Sequence, residues 1–564
     1  MEIQTLLLVA AVALVVRLTY TLYTTLTSSL RSIPGPLFAR FTKLWYFNSI
    51  YKGQAHWDNI NLHRQHAGDE EFFAPIVRLG PNMYSISRPE KAVYGIGSKM
   101  PKSKWYEGWK HPSPDRWSIF TDQNIKRHAE TRRNFQGMYA MSSLLHYEPF
   151  VEDAGEVLRT RLGEMAMKGE EGVNLHHWLQ CYAFDVIGNI TFSRRFGFLD
   201  EGKDIDRCMA SLESNMVYAT LVGVYYWAHP YLHYFLERFF PSSGAAARSY
   251  LTSFISKRVT ERESHRESAK LQGKRPGPDT NAPRDFLDLA MDAEQDPEKQ
   301  MTRKHVFMML SANVVAGSDT TAISLSSIVW HLTSNPPVLA KLRQELDNAI
   351  AEGTMTKERI SFKQSQDLPY LQACIKEALR LCAATGLPLW RVVQKGGAEI
   401  LGQHFPEGTE VGINSWVAHY DEDIWGRDAK QYRPERWIEA QGDAERLRVM
   451  ENFYMPFGLG SRTCIGRHIS FLEMCKVIPM IVSNFDFVLT RPTKEFKTEN
   501  FWPMTAQTYQ VHLDTQIFER ATQSRLSTLT PSRYNRIAER SSTHELPDLR
   551  AKPSPLPRKL PLTG

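Results

Sequence analysis

The stretch 306–332 constrains this chain more than any other. It is apolar on nearly every side at helical spacing, the pattern of a helix buried through the middle of a domain. Inside it lies Ala316-Gly317-Ser318-Asp319-Thr320-Thr321. A glycine in a helix interior costs about 1 kcal/mol against alanine, and Asp and Thr buried there need partners. Thr320 can return its hydroxyl to the carbonyl of Ala316 and loosen the helix locally. Such a turn is either a tolerated flaw in a core helix or a place that holds a water and an acid–alcohol pair beside a reacting group.

A second stretch decides between these. Phe457-Gly458-Leu459-Gly460-Ser461-Arg462-Thr463-Cys464-Ile465-Gly466 follows Met455-Pro456 and precedes an apolar pattern of helical period from Arg467 onward. Cys464 therefore sits in a glycine-rich loop feeding a helix. Glycines let the backbone fold tightly and approach a flat group closely. A thiol at a helix N-terminus feels the dipole and unpaired amides that favour the thiolate. Arg462 can neutralise a carboxylate. Together these describe an iron ligand of haem with propionates at hand. A lone cysteine is ordinarily a small buried hydrophobe, the reading adopted for Cys181, Cys208, Cys374, Cys382 and Cys475.

The Cys464 stretch resembles the Phe-x-x-Gly-x-Arg-x-Cys-x-Gly signature of the cytochrome P450 family at every specified position. The 316–321 turn is similar to that family's oxygen-activation site. Glu377-Ala378-Leu379-Arg380 places an acid and a base three apart on one face of an apolar helix, 369–382. Buried, such a pair needs further hydrogen bonds, and Tyr432-Arg433-Pro434-Glu435-Arg436-Trp437 offers Arg436. This looks like the family's fold-stabilising triad. Arg391, ahead of a strand pair, matches a position that often binds a haem propionate. In the basic helix Lys126-Arg127-His128-Ala129-Glu130-Thr131-Arg132-Arg133, His128 and Arg132 fall where the family commonly has Trp and Arg on the propionates. An imidazole can donate that bond too; the other reading of His128 is a solvated charged face. Lys126, Arg127 and Arg133 point elsewhere and can attract an acidic partner. The text around Trp105-Tyr106-Glu107-Gly108-Trp109 and 178–185 is similar to fungal pisatin demethylase-like members.

The resemblance covers 33–518 and implies a mainly α fold with small β-sheets, a central buried helix lying over haem. It implies haem b held by Cys464, with Phe457, Arg462, Gly466, Arg132, His128 and Arg391 around it. Asp319 and Thr320 would deliver protons during dioxygen activation. The implied reaction inserts one oxygen atom into a lipophilic small molecule, by hydroxylation or O-demethylation, in fungal secondary metabolism or detoxification. Electrons would come from a separate NADPH reductase, since Gly458-x-Gly460 lacks the third glycine of a dinucleotide-binding turn. By the same resemblance the region 210–235 borders the substrate channel, and Phe501-Trp502-Pro503-Met504 adds a wall. Haem-thiolate isomerases or dehydratases, and non-enzymatic haem sensors, are the competing classes. The intact Asp319-Thr320 pair argues against the first, and the substrate-channel segments against the second.

Composition adds exclusions. A net charge of +6 on 564 residues gives no case for nucleic acid. Six cysteines with no paired framework fit a reducing compartment. Residues 1–32 read as a single-pass membrane anchor: 3–26 supplies the roughly 20 apolar residues a span needs. Its apolar side chains offset Arg17, which costs about 3 kcal/mol in mid-helix. Arg31, Arg40 and Lys43 then place the catalytic domain in the cytosol, and the endoplasmic reticulum is the expected membrane. That topology leaves the sequon at Asn189 unmodified. Pro75-Ile76-Val77-Arg78-Leu79-Gly80-Pro81 and Met83-Tyr84-Ser85-Ile86-Ser87 read as two strands around a Gly-Pro turn. An exposed loop is expected over 273–283, and a disordered Ser-, Pro- and Arg-rich tail over 519–564.

Overall fold

The computed structural model describes residues 2–515, except 70, 114–115, 171, 241–242, 272–283, 300, 358, 491–495, 497, 501–503 and 507–509. The expected loop at 273–283, the wall residues Phe501 to Pro503, the domain end at 518 and the tail lie outside those residues.

The chain is mostly helical with small sheets, as expected. It begins with α1 (Glu2–Thr27), and α2 (Leu44–Tyr51) follows after a short 3-10 turn. The strands about Gly80-Pro81 form: β1 (Ile76–Gly80) pairs antiparallel with β2 (Met83–Ile86). Two distant segments, β3 (Arg391–Val392) and β4 (Glu410–Ile413), complete the sheet in the order β1-β2-β4-β3. Every residue of β1 and β2 is buried, so the sheet is core rather than surface.

The basic helix α3 (Ile125–Gln136) starts at Asn124, whose side chain accepts from the Arg127 amide and so meets one of the helix's unpaired donors. Next, α4 (Leu175–Phe192) is buried along 14 of its 18 residues. Asn189 lies in it, bonded to Phe150 O and Asp153 and serving packing. Helices α5 (Cys208–Val224) and α6 (His229–Phe239) follow.

The long apolar stretch becomes α7 (Arg303–Ser334), packed on α4. Gly317 has its reason there: a Cβ on it would stand 3.0 Å from Ile187 Cδ1 and 3.1 Å from Cγ1. The glycine lets α7 and α4 approach, and the helix runs through the 316–321 turn unbroken. Helix α7 is also long and apolar enough to cross a membrane, but over half of its most apolar window is buried in the protein. Completing the set are α8 (Pro369–Leu381), α9 (Ser415–His419), α10 (Glu435–Glu439) and α11 (Arg467–Asn484). Thr321 on α7 and Ser470 on α11 share a hydrogen bond of 3.0 Å. The helix of the acid–alcohol turn is thereby tied to the helix that follows Cys464.

Candidate active site

The loop before α11 is a set of turns. The Gly458 amide donates to Met455 O (3.0 Å), the Thr463 amide to Gly460 O (3.2 Å) and the Cys464 amide to Phe457 O (2.8 Å). Gly460 has a φ of +62°, and a Cβ there would fall 1.7 Å from Tyr94 O. No other residue fits. The Phe457 ring packs on Phe471 of α11 at 5.2 Å, and Gly466 is the residue from which α11 starts.

Cys464 is exposed, and the other five cysteines are buried. The Gly466 and Arg467 amides, with the Arg132 and Arg467 guanidiniums, pull the Cys464 pKa down, against the protein packed around the accessible sulfur, which pushes it up. A bound metal ion would make it a thiolate, because a coordinating thiol loses its proton outright.

Beside this loop the structure gathers positive charge. Lys102, Arg132, Arg391 and Arg462 act on one another strongly enough that burial and mutual repulsion hold Lys102 far below the ordinary lysine range. The same forces bring Arg462 down to about 10. Arg391 donates to Leu389 O and Trp390 O and lies over the Tyr94 ring. Arg462 donates one bond, to Asp122 O at 3.2 Å; its Nη2 is buried with no partner among the described residues. The Asp122 carboxylate is already engaged by the Nε and Nη2 of Arg127 at 2.9 and 2.6 Å. His128 is buried, not on a solvated face, and burial with these four cations pushes its pKa down to about 2, leaving it neutral. Lys126 and Arg133 are exposed; Arg127 is held by Asp122.

A partly buried group of cations with an orphaned guanidinium donor is unfavourable unless an anion joins it. The carboxylates of a haem held by Cys464 fit that requirement. Lys102 carries no signal of its own in the sequence. It comes to the cluster because its backbone bridges to Arg391, almost three hundred residues along the chain.

The acid–alcohol turn on α7 is set apart from this cluster. Thr320 Oγ1 donates to Ala316 O at 2.6 Å, as its spacing predicts. The Asp319 Oδ1 accepts from Gln180 Nε2 of α4 at 2.8 Å. Burial raises the Asp319 pKa from 3.8 to about 6; the Gln180 bond opposes the rise, while Glu213 of α5 and Asp204 add to it. An acid so placed exchanges a proton near neutral pH. Gln180 is invisible in sequence, since nothing in its spacing points to α7. Tyr139 joins the two parts of the site: its hydroxyl donates to Asn313 of α7, and burial, with Cys464 adding to it, raises its pKa.

The expected triad is complete. Glu377 accepts from Arg380 Nε (3.0 Å) and Nη2 (2.8 Å), Arg436 Nε (2.8 Å), the Arg433 amide (3.2 Å) and Trp437 Nε1 (2.9 Å). The arginines hold its pKa down although it is wholly buried.

A sequence model of the family described as Cytochrome P450 matches residues 71–513. The chain is 36% identical over 483 residues to a pisatin demethylase of Fusarium vanettenii, covering 85% of this chain and 90% of that protein. It is 35% identical over 467 residues to a cytochrome P450 monooxygenase of Aspergillus terreus (81% and 90% covered). A cytochrome P450 monooxygenase of Emericella nidulans is 33% identical over 491 residues (86% and 93%). The chain belongs to the cytochrome P450 family, whose members are haem-thiolate monooxygenases.

Proposed function

We propose that this protein is a haem b monooxygenase that hydroxylates or O-demethylates a lipophilic small molecule in fungal secondary metabolism or detoxification. The observation that carries this is the pairing of one exposed cysteine with a partly buried cation cluster whose Arg462 Nη2 lacks a partner among the described residues. Cys464 would bind the iron, while Lys102, His128, Arg132, Arg391 and Arg462 hold the propionates. Phe457 and Gly466 would pack against the ring. When bound, the haem supplies dioxygen activation, and its thiolate ligand donates the electron density that favours O–O cleavage.

The chain's own groups then manage protons and substrate. Asp319 would pass protons toward the reacting oxygen, with the Thr320 hydroxyl turning from Ala316 O to complete the path. Helix α5, whose Glu213 acts on Asp319, would line the substrate channel with the rest of 210–235. The name of the Fusarium relatives, demethylases, supports loss of a methyl group as the outcome. Electrons would arrive from an NADPH-dependent reductase docked near the exposed Lys126 and Arg133.

Residues 1–32 would anchor the protein in the endoplasmic reticulum by a single pass, with 33–518 as a cytosolic domain. Helix α1 has 26 residues, a length of about 39 Å. It exposes Leu8, Val9, Val12, Val15 and Val16, side chains suited to hydrocarbon. An apolar surface also runs from Leu44 of α2 to α6: Phe47 touches Tyr225, Tyr225 touches Trp227, and Trp227, Tyr231, Phe235 and Phe239 are exposed. Aromatic side chains favour the membrane interface.

The test is haem-loaded full-length chain, wild type and Cys464→Ala. The wild type is expected to give the long-wavelength carbonyl band of thiolate-ligated reduced haem, and the variant to lose it completely. With reductase, NADPH and oxygen, mass spectrometry of a metabolite extract should show the gain of one oxygen or the loss of a methyl group. A wild type without the thiolate band sinks the reading.

A further inference from the structure

The segment that carries Cys464 is held from below by a histidine. His419 ends α9 and is completely buried. Its Nε2 accepts from the Met455 amide at 2.9 Å, and its Nδ1 lies 2.8 Å from Arg380 O. A backbone amide can only donate, so Nε2 carries no proton. Nδ1 therefore carries it and donates to Arg380 O. Burial and the charge of Arg380 bring the pKa of His419 down to about 3, so the ring is neutral and its tautomer fixed. Arg380 answers in turn, donating from Nη1 to His419 O at 2.6 Å. The ring also stacks on Tyr454, at 5.8 Å and 22°.

Met455 is gripped from both sides. Its carbonyl accepts from Ser415 Oγ at 3.2 Å, and Ser415 is the first residue of the same short helix. That carbonyl also closes the Gly458 turn, from which Phe457 O receives the Cys464 amide. One unbroken line of hydrogen bonds thus joins Glu377, Arg380, His419, Met455 and the turns beneath the thiol. The triad has no direct bond to the loop among those described, so His419 is the link.

We propose that His419 is a positioning residue for the thiolate: its two ring nitrogens couple the Glu377–Arg380 network to Met455 and so fix where Cys464 presents its sulfur. The inference rests on Cys464 being the haem ligand.

Its test compares His419→Phe, which keeps the stacked ring and loses both nitrogens, with His419→Gln, which keeps a donor and an acceptor. His331→Phe serves as control, a buried histidine stacked on Tyr432 at 4.7 Å that feels Glu377 and Arg380 but has no bond to Met455 among those described. All are read as haem-loaded full-length chain, by the reduced carbonyl spectrum and by hydrogen exchange of the Met455 amide. His419→Phe is expected to move most of the thiolate-type band to shorter wavelength. It should also speed Met455 exchange by roughly five- to a hundredfold, the range for a buried donor left unmet. His419→Gln should restore the thiolate band, and His331→Phe should keep it.

The proposal fails if His419→Phe matches wild type in band and exchange, if His419→Gln loses as much as His419→Phe, or if the His331→Phe control loses the band equally. Should His419→Phe not accumulate folded, wild-type exchange decides: a Met455 amide less protected than the α8 amides overturns the proposal. A wild type lacking the thiolate band would instead overturn the ligand assignment itself.

Discussion

The network around Glu377 and the turn around Asp319 each take a carboxyl group out of water, the first fully and the second in part, and treat it in opposite ways. Glu377 is surrounded by two guanidiniums, an indole N–H and an amide, and its pKa falls despite full burial. Asp319 has one neutral partner, Gln180, with acids beyond it, and its pKa rises to about 6. Burial is common to both. What differs is the number and charge of the donors, which decides whether a buried acid becomes a fixed anion or a group that trades its proton. The first suits a structural pin beneath the Cys464 loop, the second the proton-handling role proposed for α7.

Breaking the pinned acid should have the largest effect. Glu377→Gln leaves Arg380 buried without its counter-charge and Arg436 with only Asp428, 3.3 Å away, and removing one partner of a buried ion pair costs about 3–5 kcal/mol. Denaturant unfolding should show that loss, with the thiolate band of the loaded protein diminished alongside it. A variant within about 1 kcal/mol of wild type would mean that backbone carbonyls such as His419 O and Trp425 O already compensate the arginines. Asp319→Asn, by contrast, should leave stability nearly untouched. Product per NADPH is expected to fall about a hundredfold, the lower end of what a positioned acid contributes. Equal product yield would remove Asp319 from the reaction.

Much of this contrast is legible in the sequence. The Cys464 loop, the 316–321 turn and the Glu377–Arg380 pair are short patterns whose spacing is itself the geometry. Helix α7 announces its burial by being apolar all round. Other parts were hidden for physical reasons. Gln180, Lys102 and His419 act through contacts with residues tens to hundreds of positions away, and no local period marks them. Gly317 reads as a flaw in the helix until Ile187 is seen against it.

Gln180→Leu sharpens the comparison, because it takes from Asp319 the one bond that favours its charged form. The Asp319 pKa should rise further. An acid acts as donor only while protonated, so coupling of NADPH use to product should fall as pH rises through about 6 in the wild type. In the variant that fall should move to higher pH, with less than about a tenfold change at the plateau. Overlapping pH profiles would show that Gln180 does not tune the acid.

The smallest effect is expected at a third buried acid. Glu473 of α11 is fully buried, neither of its oxygens has a partner among the described residues, and the same holds for the nearby Tyr182 hydroxyl. With nothing to oppose burial, its pKa stands well above 4.5 and the group is neutral in the folded protein. Glu473→Gln replaces one neutral side chain by another of like shape, so below pH 4.5 unfolding free energies should agree within about 1 kcal/mol. Above that pH the unfolded wild type ionises while the folded form keeps its proton. Wild-type stability therefore declines as pH rises toward the folded-state pKa, and the variant, which cannot ionise, does not follow. Stability curves that cross in favour of Glu473→Gln at alkaline pH would place Glu473 beyond Asp319 on the same scale. Parallel curves would mean that the pair of Glu473 and Tyr182 meets its charge from a source other than the protein, and that donor count alone does not rank these acids.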